Sequence, residues 1–199
     1  MELLRAFVRP RANRARKNLF GIWHLLSGLL IASGMNLYAQ KTSSSEYQIK
    51  AVFLFNFAQF VEWPPQTFPE TQTPLIIGIL GEDPFGAALD ETVRGEIVNN
   101  RYVVVERYRS VEEIKTCHLL FISRTEAGRL QQIFASLKGR SILTVGEAEG
   151  FARLGVMIRF VTVKNKIRLK INLDAAKAAN LTISSKLLRP AEIVTSGKD

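Results

Sequence analysis

The residue types that do chemistry are few in this chain and poorly spaced for it. Of the two histidines, His24 falls in an N-terminal stretch that reads as an export signal, which leaves His118 for the working protein. The single cysteine, Cys117, sits next to it. Neighbouring side chains on an extended strand point to opposite faces, so Cys117 and His118 do not form a nucleophile and base pair. One histidine and one cysteine also fall short of a zinc ligand set. The carboxylate pairs Glu112 with Glu113 and Glu147 with Glu149 lie in turns and read as solvated. The pattern therefore predicts no catalytic residue, no metal and no cofactor. Cys117 reads either as a small buried apolar side chain or as a thiol available to another chain, and no intrachain disulfide can form.

Binding chemistry is better represented than catalysis. The stretches GEDPFG and SRTEAG place backbone donors at helix starts, near the crevice expected at the carboxyl ends of a parallel sheet. Gly81, Asp83 and Ser123 are accordingly candidates for holding a small anion or nucleotide, although a capped strand-to-helix turn without a ligand has the same appearance. In KIRLKIN, Lys166, Arg168 and Lys170 alternate with Ile167, Leu169 and Ile171, so one face of that strand is wet or touches a partner. Charge of this kind keeps sheet edges apart; it also suits an acidic partner or an anionic ligand. Leu181, Ile183, Leu187 and Leu188 in the last segment are the apolar candidates for a partner surface.

The elements that must position these groups follow from hydrophobic periodicity. The longest strongly apolar stretch outside the export signal is YQIKAVFLFNFAQFVEWPP, residues 47–65, and its spacing predicts a helix buried on more than one side. Ser43 with Glu46 has the spacing of a capping box, and Pro64 and Pro65 must end the helix. It is a core helix, or one whose second apolar face docks on another protein. Lys50, Asn56, Gln59 and Glu62 interrupt it too often for a membrane span.

Beyond it, LIIGIL (75–80), YVVVERY (102–108), HLLFIS (118–123), SILTV (141–145), VMIRFVTV (156–163) and KIRLKIN (166–172) read as strands. Helices are expected after Asp83, after Ser123 as far as Leu137, after Asn172 and after Ser184 or Ser185. Alternation of helix and strand predicts an α/β domain, a three-layer α/β/α arrangement with a mostly parallel sheet. Only Lys164 and Asn165 separate the last two strands, which predicts an antiparallel edge hairpin.

A chain of 199 residues with 47% hydrophobic content suits one such domain, over residues 40–199, after a signal segment at 1–39. In that segment six basic residues precede the apolar run Leu19 to Ala39. Cleavage is expected after Ala39 or after Gly34, with a retained anchor as the alternative; the general secretion route is favoured, and the domain is expected outside the cytoplasm. The formal charge of +9 falls to +4 without that segment, which removes most of the case for nucleic acid.

From about Tyr47 to Val194 the chain resembles the YfiR family of periplasmic regulatory proteins. The matching stretches are YQIKAVFLFNFAQFVEWP, IIGILGEDPFG, CHLLFIS, ILTVG and KIRLKINLDAAKAANLTISSKLL. The resemblance implies a non-enzymatic periplasmic adaptor, often dimeric, that restrains an inner-membrane diguanylate cyclase and so controls cyclic di-GMP signalling and biofilm formation. Some members accompany histidine kinases or outer-membrane receptors, so the partner's identity does not carry over; an inner-membrane sensor protein, a diguanylate cyclase or a histidine kinase, is the expected partner. Cys117 matches a family cysteine position, whereas LIIGIL lacks the partner cysteine, which leaves the family's disulfide switch without its second thiol. A periplasmic small-molecule or anion-binding protein is the alternative reading.

Overall fold

The computed structural model describes residues 45–151 and 154–195. The signal segment expected over 1–39, its cleavage points and Ser43 of the expected capping box lie outside the described residues. Among these residues no helix is long and apolar enough to cross a membrane.

The leading apolar stretch forms α1 over residues 45–60 and buries Ala51, Leu54, Phe57 and Ala58. It ends ahead of the prolines expected to stop it. Val61–Glu62 (β1) leave the helix and pair antiparallel with Thr182–Ile183 (β9), a contact that fastens the C-terminal segment to α1.

The main sheet contains Leu75–Leu80 (β2), Ile97–Val98 (β3), Arg101–Tyr108 (β4), Leu119–Ile122 (β5), Leu143–Gly146 (β6), Ile158–Val163 (β7), Lys166–Asn172 (β8) and Glu192–Val194 (β10). Its strand order is β10-β8-β7-β6-β5-β2-β4-β3. Strands β2, β4, β5, β6 and β7 run parallel, as the α/β alternation requires. The continuous apolar runs of β2 and β5 are buried at every position, because inner parallel strands are covered on both faces. The β7–β8 hairpin closes one end, turning through Lys164 and Asn165 with φ of 48° and 59°, the left-handed pair that a two-residue turn demands. The short β10 then lies parallel against the last three residues of β8.

Helices cover both faces. Ala87–Val93 (α2), Leu173–Ala178 (α4) and Ser185–Leu188 (α5) join α1 over one apolar core, and Leu130–Leu137 (α3) covers the other. The layering is α/β/α, as the sequence predicts. Two helix starts differ. Asp83 does not cap α2: its Oδ1 accepts from the N–H groups of Phe85 and Gly86, forming a turn that delays the helix to Ala87. The helix expected from Ser123 opens as a 3-10 turn over Arg124–Arg129, where Thr125 and Glu126 lie against Gly81, and becomes α-helical only at Leu130. Asn172 and Ser184 cap α4 and α5 as expected, through Ala175 and Lys186.

Candidate functional site

His118, expected at the start of a buried strand, is built into the core just ahead of β5. Its ring is fully buried, Nδ1 accepts from the Ile76 N–H at 3.0 Å, and its plane stacks on Phe68 at 4.4 Å between centroids. Arg101 covers Phe68 at 4.1 Å and donates to the carbonyls of Glu70, Thr71 and Thr73, fixing the loop that leads into β2. Burial pushes the His118 imidazole down to about 4, Arg101 adds to this, and the Thr67 backbone opposes it. His118 is thus a neutral acceptor inside a stack.

Cys117 belongs to the opposite core, beside Tyr108 and Leu120, and its thiol donates to the Leu119 carbonyl at 3.2 Å. Burial pushes the thiol up to about 12, which makes it inert. Of the two readings of this cysteine, the buried one describes it. A Cβ on Gly78 would lie 2.8 Å from its sulfur, so this glycine occupies the place beside the thiol.

The loops expected to bind an anion are filled from within. Gly81, at φ +88°, donates to the Tyr108 carbonyl, and a Cβ there would collide with Thr125 and Glu126. Asp83 supplies its own carboxylate to the local donors and to Arg107 Nε at 2.8 Å, while Arg107 also grips Asp90. Ser123 donates its N–H to Leu80 O, and its hydroxyl accepts from Thr125. Gly81, Asp83 and Ser123 come together at the carboxyl ends of β2 and β5, but the donors that an anion needs there are spent.

A polar cluster that sequence reasoning missed lies close by, at the start of α1. Lys50 Nζ is 2.5 Å from Glu46 Oε1 and 2.5 Å from Glu147 Oε2, with side-chain exposures of 1% for Lys50 and 3% for Glu147. Glu147 Oε1 accepts from Tyr47 OH at 2.7 Å and Arg124 Nε at 2.9 Å, and Thr162 donates to Glu46 at 2.9 Å. Burial, and then the Glu147 carboxylate, raise the Tyr47 hydroxyl well above its ordinary range. Burial also works against the Glu46 carboxylate, but hydrogen bonds from Lys50 and Thr162 and the nearby positive charges outweigh it and hold that group below its usual range. Glu147 is therefore not the solvated turn residue expected, whereas Glu149 is exposed. The spacing of Glu46 and Lys50 was the one available signal.

The hairpin carries the other concentration of charge. Arg159, Val161 and Val163 stand in register with Lys170, Arg168 and Lys166, on the face opposite Phe160 and Leu169 of the α1 core. The core under α3 contains no residue of β7 or β8. Lys166 and Arg168 are exposed; Lys170 is half-buried, 3.5 Å from Glu192. The apolar candidates are placed otherwise. Leu181, Ile183 and Leu187 are buried in the α1 core and Leu188 is half-buried against it, because β9 pairs with β1 and draws the segment inward. Their expected exposure is corrected by that packing.

The family described as YfiR/HmsC-like matches residues 47–192, most of the chain. The chain belongs to the YfiR/HmsC-like family. No curated protein matches it. The stretch shared with the YfiR/HmsC-like family takes in the Lys50–Glu147 cluster, the His118 stack and the basic hairpin. The family is regulatory rather than catalytic, in general periplasmic, and acts in cyclic di-GMP signalling together with a membrane signalling partner.

Proposed function

We propose that this YfiR/HmsC-like protein is a non-enzymatic periplasmic regulator that binds the exported part of an inner-membrane diguanylate cyclase and restrains it. In this reading residues 1–39 direct export by the general secretion route. The regulator binds the inactive form of the cyclase more tightly than the active one, so docking shifts the population toward the inactive state. A histidine kinase in the same position is served by the same mechanism, and a second copy of the regulator can share the load as a homodimer.

The observation that carries the reading is the basic face of the hairpin. Exposed Lys166 and Arg168 stand beside half-buried Arg159 and Lys170 on one sheet surface, while Cys117 and His118 are both buried. An exposed face of one sign attracts a partner of the other and weakens as salt rises. Charge reversal at Lys166, Arg168 and Lys170 tests it, with partner capture from the membrane fraction and cellular cyclic di-GMP as readouts. Loss of capture with a rise in cyclic di-GMP supports the proposal. Unchanged capture at low salt removes the hairpin from it.

A further inference from the structure

We propose that the cleft where β7 outruns β6 receives a short extended peptide segment, which pairs with the open edge of β7 and sets one carboxylate on Arg124. This deepens the protein-binding reading above and rests on it, since it names a second contact and the chemistry of the segment that fills it.

Strand pairing creates the edge. β6 meets β7 only through Val145 with Ile158 and Gly146 with Arg159, whereas β7 continues to Val163. The two-residue turn makes Val163 and Lys166 a hydrogen-bonded pair, and the pleat then commits Val161 and Arg159 to β8 as well. The carbonyl of Phe160 and both backbone groups of Thr162 face the other way, where no strand of the described residues stands. An open strand edge of this kind is where a further extended chain pairs.

The space beside that edge is a cleft of about 430 Å³, lined by Arg124, Glu149, Arg159 and Thr162 above the Lys50–Glu147 cluster. Glu147 grips Arg124 through Nε alone, and the Arg124 side chain remains 63% exposed with no other partner among the described residues. A buried carboxylate that fixes one side of a guanidinium leaves its terminal nitrogens oriented for a second carboxylate. Glu149 on the rim repels a run of acids, so the fitting segment carries one carboxylate among neutral residues, unlike the acidic surface that suits the hairpin.

The test uses the full exported protein and an array of short fluorescent peptides of valine and threonine with a single glutamate or aspartate at each position. Amidated and free C-termini separate a side-chain carboxylate from a terminal one. The proposal expects saturable binding by some members, weakened about tenfold by exchanging the acid for its amide or by Arg124→Gln. It also expects loss of binding when alternate peptide nitrogens are methylated, and slowed hydrogen exchange at the Thr162 amide. No binding by any member, or binding indifferent to Arg124→Gln and to methylation, overturns it. Competition by free glutamate as effective as by the best peptide overturns the strand pairing and leaves a small-anion site. A membrane partner that is still captured while every peptide fails removes this cleft and leaves the regulator reading in place.

Discussion

Lys50 Nζ lies 2.5 Å from Glu147 Oε2 across 97 positions of sequence, and both side chains are almost sealed from solvent. The pair joins the first turns of α1 to the loop after β6, with Glu46, Tyr47, Arg124 and Thr162 completing its hydrogen bonds. Breaking a buried pair strands a charge, while replacing both members removes that penalty.

Lys50→Met is accordingly expected to destabilise the domain by about 3–5 kcal/mol. Lys50→Met with Glu147→Leu should recover at least half of that loss. Urea unfolding of the two variants checks this, and additive losses would contradict a coupled pair.

His118 gives the stability a pH dependence of known sign. Its folded value is depressed to about 4 against 6.5 for a free imidazole, so the folded state resists a proton that the unfolded chain accepts. The contribution is fully present above pH 6.5 and is lost as the pH falls toward 4. Over that window the group removes on the order of 3 kcal/mol. Denaturant titrations across it should show this slope in the parent protein and a flatter one in His118→Gln. Parallel slopes would mean that His118 is not held neutral.

Gly78 lies where β2 runs between the ring of Tyr108 and the sulfur of Cys117. A Cβ there would come within 2.7 Å of the first and 2.8 Å of the second, both in a packed core. Gly78→Ala should cost about 1–3 kcal/mol, read as a lowered Tm. Gly78→Ala with Cys117→Ala should cost less, since the sulfur is one of three obstacles, the third being Leu120 Cδ1 at 3.0 Å.

Cys117 itself should fail to react with a thiol-reactive disulfide reagent in the native protein at mildly alkaline pH and react fully in denaturant. Its thiol is buried and pushed up to about 12. Fast native labelling would show that the strand opens around it.

The sheet was legible in the sequence where strands are long and apolar: LIIGIL, LLFI and KIRLKIN announce β2, β5 and β8, and Asn165 marks the tight hairpin turn. The pairings of β1 with β9 and of β10 with β8 involve two or three residues each, too few to show a period. That gap misplaced Leu181, Ile183 and Leu187, whose burial depends on Val61 meeting Ile183. Glu147 was misjudged for a similar reason. Its local sequence is that of a turn, and only the fold brings Lys50, Tyr47 and Arg124 to it.

The proposed docking face is tested most directly by placing a photo-crosslinking amino acid at Arg168 of the exported protein in living cells and identifying what it captures from the membrane fraction. A diguanylate cyclase or sensor kinase should be recovered, and recovery should fall when Lys166 and Lys170 are reversed in charge. Capture that ignores those reversals, or no membrane signalling protein at all despite normal export and folding, would contradict the hairpin as the face on which regulation acts.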